Sequence, residues 1–252
     1  MIQPHAHGSL FMPSPRQMSL TPDLVSLCFR EEPNNGYGND WIPLTDAEMD
    51  AVAERLFAEC GAEPLWVFAY GSLIWKPTFE PVEQRRATAM GWHRSFCMEM
   101  TAWRGTPEQP GLMMALDRGG RCDGVVFRLP DDTRRDELSK MVHREILFRE
   151  NLAMVRWIHV QTEAGKVRAL VFWAGPKHGN GISLKLPLEK VAFVLARACG
   201  YAGSCAEYLY NTVSHLESLG IRDRNLWRLQ QLVAEEIVEA YGVPHPGANG
   251  SR

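Results

Sequence analysis

The sequence predicts an α+β domain in which an antiparallel or mixed, barrel-like sheet is followed by helices. Strand-like segments with glycine punctuation dominate the first half of the folded region, at 65–70, 82–89, 92–100, 111–117 and 122–129. One helical segment and two more strand segments follow, and the remaining chain is helical. Strands and helices do not alternate regularly, which argues against a doubly wound parallel sheet.

Capping and turn signals set the limits of the predicted elements. Thr45 and Glu48 form a T-x-x-E capping box for a helix that Gly61 ends. The turns at 117–121 and 163–165 are each predicted to close a hairpin. Four later helices are predicted from Asp131–Asp132 to about Ile146, from Pro187 to Gly200, from Ser204 (with a second capping box at Glu207) to Gly220, and from Asp223 to Tyr241.

Composition bounds the function. The 252 residues are 45% hydrophobic, and Lys plus Arg number 27 against 30 for Asp plus Glu, a net charge of −3. A chain of this length and composition can form a hydrophobic core. The balance of charge favours neither nucleic acid nor an anionic membrane as a partner. No apolar run approaches the roughly 20 residues of a membrane helix. Six scattered cysteines without C-x-x-C spacing, and no secretory leader, indicate reduced thiols and a cytoplasmic location.

The chain divides into three predicted regions. Residues 1–40 are rich in proline, asparagine and glycine without a steady apolar period, and are expected to form a poorly ordered extension. Residues 41–243 are expected to form one domain, and residues 244–252 a flexible tail. The sequence does not predict an oligomeric state.

The most informative segment is the end of the first strand, where an apolar run breaks into Tyr70-Gly71-Ser72-Leu73. Backbone N–H groups at such a glycine step suit a small anionic ligand, although many strands simply turn at a glycine. Ser72 is a weak candidate nucleophile, because G-x-S-x-G is absent and no base has a recognisable place. The eight histidines lack metal-binding spacing, so neither a metal nor another cofactor is predicted.

Glu145 is the candidate general base. It lies near the C-terminal end of a predicted helix, where the helix dipole disfavours an ionised carboxylate and burial would raise its pKa further. The alternative is a surface carboxylate paired with Arg144, Arg149 or Lys140, which position alone favours. Glu150 is a competing carboxylate, and Arg94, Arg104 and Glu207 are more typical of salt bridges or caps than of ligand contacts.

Several segments together resemble the ChaC-type, glutathione-specific γ-glutamylcyclotransferases, and the bacterial branch in particular. They are 67–77, Gly91–Cys97, Thr101–Gly105, Gln109–Gly111, Gly124–Pro130 and Arg144–Glu145, in order along the chain. The resemblance implies a mixed β-barrel flanked by helices and a lyase that cleaves glutathione to 5-oxoproline and cysteinylglycine.

The same resemblance implies roles for particular residues. Glu145 would be the catalytic base, and Tyr70, Gly71, Ser72, Leu73, Arg104 and Tyr208 would bind the substrate. The backbone N–H groups of residues 71–73 would hold the glutamyl α-carboxylate or the developing oxyanion. No cofactor is implied.

Two positions depart from the family pattern, with Asn151 where a Gly-x-Tyr-like step is usual and Cys205 where asparagine is usual. They leave open another γ-glutamyl substrate, or a non-catalytic binding or regulatory protein, a role that matches the family's other label as a cation-transport regulator.

Overall fold

A closed, five-stranded barrel with strand order β1-β3-β2-β4-β5 forms the centre of the protein. The computed structural model describes residues 16–34, 36, 41–176 and 185–242. The barrel strands are β1 Trp66–Ala69, β2 Glu83–Met100, β3 Gly111–Arg128, β4 Val155–Thr162 and β5 Gly165–Phe172. Because β1 pairs antiparallel with β3 and parallel with β5, the barrel is mixed, as predicted.

Helices cover the barrel from outside. They are α1 Pro22–Leu27, α2 Asp46–Cys60, α3 Arg134–Glu145, α4 Leu188–Leu195, α5 Cys205–Ser218 and α6 Arg224–Tyr241. Two short 3-10 turns lie at Ser72–Ile74 and Arg149–Met154, and a small ribbon pairs β6 Cys199–Gly200 with β7 Gly203–Ser204. None of the helices among the described residues is long and apolar enough to cross a membrane.

Most of the predicted helix caps form. Both reciprocal bonds of the Thr45–Glu48 capping box form, and Asp223 caps α6 by accepting from the Leu226 N–H at 3.0 Å. At α5 only half of the predicted box forms, because the Ser204 hydroxyl accepts from the Glu207 N–H while the Glu207 carboxylate pairs with Arg104. The helix α4 ends at Leu195 and not at Gly200, which lies in β6.

The hairpin predicted at residues 117–121 is wrong. These residues continue β3, which pairs with β2 along its length, so that four predicted strands are really two long ones. Gly119 and Gly120 have φ of 105° and 75° and lie near a register shift beside Gly91, with φ of 81°. Positive-φ glycines at a bulge bend a strand without reversing it. The hairpin at 163–165 is confirmed, since it joins β4 to β5.

The expectation of a poorly ordered extension is wrong for residues 16–34. Thr21 caps the short helix α1, and the side chains of Leu20, Leu24 and Cys28 are buried in the core. The Leu20 N–H also donates to the Oε1 of fully buried Gln230 at 2.8 Å. The expected disorder of residues 1–15, 35, 37–40 and 244–252 lies outside the described residues.

Two apolar clusters account for the core. One draws on all five barrel strands and on no helix, and therefore fills the barrel interior; it includes Phe68, Trp92, Leu116, Val160 and Val171. The larger cluster combines the outer barrel surface with the helices. Burial of this much apolar surface is the main stabilising contribution to such a fold. The six cysteines are buried and free.

Candidate active site

The turn after β1 requires a glycine. A Cβ on Gly71 would stand 2.8 Å from the Tyr208 hydroxyl, closer than real Cβ atoms approach. The hydroxyl lies there because it accepts a hydrogen bond from the Ser72 N–H at 3.2 Å. No hydrogen bond to another described residue occupies the N–H groups of Gly71 and Leu73. Two of the three expected backbone donors are therefore available, and the third is engaged by Tyr208.

Tyr208 supports this turn from α5. Its ring makes edge contacts with Trp75 and Phe96, at centroid distances of 5.6 and 5.8 Å. Burial raises the pKa of its phenol above 10.0, so the hydroxyl is protonated at neutral pH. Trp75 is fixed in turn, because its Nε1 donates to the Thr212 hydroxyl at 3.1 Å.

Glu145 is the last residue of α3, and its side chain is 23% exposed. Burial raises the pKa of this carboxyl above its ordinary 4.5, and the charge of Arg144 opposes the shift. The negative end of the helix dipole acts in the same direction as burial. Such a carboxylate is a stronger base than an exposed glutamate, as proton abstraction near neutral pH requires.

Arg144 joins the helix end to the turn. Its Nη2 donates to the Ser72 hydroxyl at 3.2 Å, its Nη1 donates to the Lys76 carbonyl, and its Nε lies 3.2 Å from Glu145 Oε1. One guanidinium therefore sets the position of the carboxylate relative to the turn. The pairing with Glu145 that was expected as a surface alternative exists, but within a site and not on a free helix face.

A cavity of about 310 Å³ opens between these elements, at the end of the barrel where the parallel neighbours β1 and β5 stop. Its polar lining includes Tyr70, Ser72, Arg104, Arg144, Glu145 and Asn151. Its apolar lining is larger and includes Trp41, Met98, Met100, Trp103, Met113, Met114, Phe148, Met154, Phe172 and Trp173. This is the size and character of a site for a small molecule.

Tyr70 lines the cavity beside the carboxylate. Burial raises the pKa of its phenol well above 10.0, and the neighbouring Tyr208 and Glu145 add to the shift. Its carbonyl accepts from Arg94 Nη1 at 2.7 Å, and the buried Arg94 pairs with Asp223 at 3.1 Å. Arg94 is therefore a structural residue here, as expected.

Arg104 reaches the cavity from the loop between β2 and β3. Its Nη1 donates to Glu207 Oε2 at 2.8 Å and to the Ser204 carbonyl at 2.6 Å, and its guanidinium lies 5.4 Å from the Tyr208 ring centroid. The ion pair neutralises much of its charge. Arg104 therefore offers directed N–H donors more than a free positive charge.

Asn151 and Cys205, the two positions expected to depart from the family pattern, are both held by hydrogen bonds at or beside the cavity. The Cys205 thiol donates to the Arg104 carbonyl at 3.1 Å, and burial raises its pKa to about 12, so it remains a thiol. Asn151 lines the cavity while its Oδ1 accepts from the Phe148 N–H at 3.1 Å and its Nδ2 donates to Met154 Sδ at 3.4 Å. Neither residue is poised for chemistry in this arrangement.

The structure brings four of the seven expected site residues to the cavity, namely Tyr70, Ser72, Arg104 and Glu145. Gly71, Leu73 and Tyr208 are not among the lining residues, although Gly71 and Leu73 flank Ser72, which is. The Leu73 side chain is buried in the core. The sequence interpretation missed Arg144 as a positioning residue and the methionine and tryptophan lining. Only the adjacency of Arg144 to Glu145 could have signalled the first.

The described residues do not support a serine nucleophile or a metal site here. Ser72 contacts an arginine, and no histidine lines the cavity, all of whose lining residues are described. His143 pairs instead with Asp50 at 2.9 Å. Within the described ranges, no cluster of three or more His, Cys, Asp or Glu side chains could hold a metal ion.

The fold and this cavity define a protein that binds a small molecule, with one carboxylate beside a glycine turn. In the comparisons with known proteins, residues 65–236 match the family described as ChaC-like protein. The chain therefore belongs to the ChaC-like family, and the resemblance drawn from the sequence is confirmed.

Named relatives and solved structures add detail. The chain is 38% identical over 209 residues to the glutathione-specific γ-glutamylcyclotransferase of Escherichia coli, covering 81% of this chain and 89% of that protein. It is 30% identical over 182 residues to γ-glutamylcyclotransferase 2-3 of Arabidopsis thaliana, covering 70% and 92%. A crystal structure of a yeast γ-glutamyl cyclotransferase specific to glutathione superimposes with a TM-score of 0.60 at 21% identity, covering 68% of this chain and 96% of that one. The predicted fold class is thereby confirmed.

Proposed function

We propose that this protein is a γ-glutamylcyclotransferase that cleaves glutathione into 5-oxoproline and cysteinylglycine. The observation that carries the proposal is the Glu145 carboxylate, which shares one cavity with Tyr70 and Ser72 and has a raised pKa. The names of the E. coli and mouse relatives, both glutathione-specific γ-glutamylcyclotransferases, support the same substrate.

The reaction needs no external nucleophile. The ionised Glu145 takes a proton from the α-ammonium of the glutamyl unit, and the free amine attacks its own γ-carbonyl carbon. A new C–N bond closes the five-membered ring as the amide bond to cysteine breaks. The attacking nitrogen gives up two protons in all, one before and one after the attack, and both pass to the departing cysteinyl nitrogen, which leaves as an ammonium group. Atoms and charge therefore balance without water or an electron acceptor.

Positioning supplies much of the rate. An extended glutamyl chain must curl before its amine can reach the γ-carbonyl, and holding it curled removes an entropic cost. The N–H groups of Gly71 and Leu73, with the Ser72 hydroxyl, are suited to hold the α-carboxylate or the developing oxyanion. Arg144 keeps that turn and the base at a fixed separation.

One folded unit is proposed to carry the activity, since the family match at 65–236 covers the barrel and most of the helices around it. A cytoplasmic location is proposed as well. All six cysteines are buried free thiols, and such thiols persist in a reducing compartment.

Incubation of the purified protein with glutathione, with 5-oxoproline followed by chromatography, tests the activity. Glu145→Gln should lower turnover roughly 1,000-fold, because the amide cannot accept the proton, while glutathione binding persists. Glu163→Gln, in the exposed turn between β4 and β5, is the matched control and should leave turnover unchanged. Normal turnover in Glu145→Gln would remove the assigned role.

The second candidate, a non-catalytic γ-glutamyl-binding or regulatory protein, follows from Asn151 and Cys205. It requires glutathione to bind the wild-type protein without forming 5-oxoproline, from glutathione or from any other γ-glutamyl peptide. A serine hydrolase would require Ser72→Ala to abolish turnover, although Ser72 has an arginine and no histidine as its partner.

A further inference from the structure

A short segment before α2 pairs with the chain that leaves Glu145. Residues 41–44, here called the strap, lie antiparallel to residues 147–149, with a β-bridge between Pro43 and Phe148. Two backbone hydrogen bonds of 2.9 Å flank this bridge, one donated by the strap and one accepted by it. The strap is therefore fixed to a stretch of chain that begins two residues after Glu145.

The strap brings Trp41 to the cavity. Trp41 lines the cavity, and its ring packs edge-on against the Phe148 ring at a centroid distance of 5.4 Å. The Trp103 ring also packs edge-on against Phe148, at 6.4 Å. These three rings, here called the aromatic wall, all line the cavity and come from the strap, from the chain after α3 and from the loop between β2 and β3.

The aromatic wall is held in place by its backbone. Among the described residues, Trp103 is the one non-glycine residue with a positive φ, at 54°. Its carbonyl accepts from the Ala202 N–H at 2.8 Å, and a Cβ on Gly200 would stand 2.3 Å from the same carbonyl oxygen. A bulky residue keeps such a backbone only where its surroundings fix it, and residues of this kind concentrate at functional sites. The wall is therefore formed before a substrate binds.

The polar lining indicates which half of the substrate meets the wall. The glutamyl half must lie against Ser72 and Glu145 to react. The other half, cysteinylglycine, ends in a carboxylate, and apart from Arg144 the only cation among the lining residues is Arg104. Arg104 follows Trp103 directly in the chain. A dipeptide that extends from the base to Arg104 therefore passes along the aromatic wall.

We propose that Trp41 is a specificity-determining residue that binds the cysteinylglycine half of glutathione. Its indole offers a large, rigid apolar surface, and a sulfur atom about 5 Å from an aromatic ring makes a favourable contact with it. The dipeptide is present before, during and after the cleavage, so this contact adds to substrate binding and not to the chemical step. The inference rests on the proposed function, and it extends the site beyond residues 65–236, which match the family.

Kinetics with glutathione test the inference, with 5-oxoproline as the readout. Trp41→Ala should raise KM about tenfold and leave kcat within about twofold of the wild type, because it removes a contact made equally in the ground state and the transition state. Trp41→Phe keeps an aromatic ring and should raise KM by about threefold or less. Ile42→Ala is the matched control, since Ile42 is 54% exposed in the same strap and does not line the cavity, and its KM should equal that of the wild type.

Product inhibition identifies the half of the substrate that Trp41 contacts. In Trp41→Ala the inhibition constant of cysteinylglycine should rise about tenfold, as KM does. The inhibition constant of 5-oxoproline should stay unchanged, because this product carries the glutamyl half. A loosened strap that disturbed the whole cavity would weaken both products, or would lower kcat.

The outcomes separate this inference from the proposed function. If glutathione is cleaved but Trp41→Ala keeps the wild-type KM, lowers kcat alone or weakens both products equally, the inference is overturned and the proposed function stands. If the wild type forms no 5-oxoproline, the proposed reaction fails. Calorimetric binding of glutathione and of cysteinylglycine then decides the inference, which about tenfold weaker binding of both compounds to Trp41→Ala would support and equal binding would overturn.

Discussion

Arg144 donates a hydrogen bond from its Nη2 to the Ser72 hydroxyl at 3.2 Å, across 72 positions of sequence. The contact links the end of α3 to the turn after β1. Because the same guanidinium lies 3.2 Å from the Glu145 carboxylate, one side chain sets the distance between that carboxylate and the turn.

The pH dependence of turnover should report the raised pKa of Glu145. The base must be ionised, so kcat/KM should fall as pH drops through that pKa, with an acid limb above the pH expected for an ordinary glutamate of pKa 4.5. A pH profile from 4 to 9 measures it, with circular dichroism at each pH to confirm folding. An acid limb at or below the ordinary value would contradict the assignment.

Replacing Arg144 should move this acid limb. The Arg144 charge lowers the Glu145 pKa, so Arg144→Met should shift the limb to higher pH and also reduce kcat, as the turn loses its link to α3. Arg144→Lys keeps the charge but not the three contacts of the guanidinium. It should leave the limb closer to that of the wild type while kcat still falls. A purely structural role would lower activity equally at every pH.

Glu145→Gln should stabilise the protein at neutral pH. A carboxyl whose pKa is raised in the folded state binds more protons when folded, so stability falls as pH rises from the unfolded pKa through the folded one. The glutamine amide does not ionise, so the variant does not lose stability in this way as the pH rises. Thermal unfolding at pH 7 and at pH 4 should show a higher Tm for the variant at pH 7 and a smaller difference at pH 4. An equal difference at both values would point to packing and not to titration.

Tyr208→Phe should weaken the turn. The variant removes the acceptor of the Ser72 N–H, and a partly buried donor left without a partner costs about 1 kcal/mol. Denaturant unfolding measures the loss, and kcat/KM for glutathione should drop roughly tenfold as the turn loosens. Tyr210→Phe, on the same helix, is the control. Equal losses in both variants would show that the hydroxyl of Tyr208 has no special role.

Gly71→Ala should destabilise the protein by about 1–3 kcal/mol through overpacking. Its Cβ would stand 2.8 Å from the Tyr208 hydroxyl, and the Tyr208 ring is held between Trp75 and Phe96. Removing that hydroxyl relieves the contact, so the double variant with Tyr208→Phe should lose less stability than the two single variants added together. Strict additivity in this cycle would refute the steric explanation.

Local signals in the sequence predicted much of the fold. The Thr45–Glu48 box and the Asp223 cap depend on residues within one helical turn, and both form as expected. Gly119 and Gly120 were predicted to form a hairpin turn but lie in a bend within β3. Glycines occur in both a strand bend and a hairpin turn, and only the pairing with the neighbouring strand distinguishes the two. Helix α1 was missed because six residues with one cap give almost no periodic signal, and tertiary packing stabilises it.

The site was harder to predict than the fold. Glu145 and the glycine turn could be identified by resemblance, but their joint cavity depends on long-range closure of the barrel. The bond between Arg144 and Ser72 has no signature in either local segment. The apolar lining comes from β2, β3, β5 and several loops, so no single stretch of sequence reveals it.

The hydrogen bond from the Leu20 N–H to Gln230 limits how far the protein can be shortened. Gln230 is fully buried in α6, and its Oε1 accepts this hydrogen bond from Leu20, two residues before the start of α1. A truncated protein that starts at residue 41 would strip this acceptor of its donor and uncover the apolar groove that Leu20, Leu24 and Cys28 fill. We therefore predict that the folded unit begins upstream of residue 20, and that shortened versions that omit α1 will be recovered mainly as insoluble aggregates.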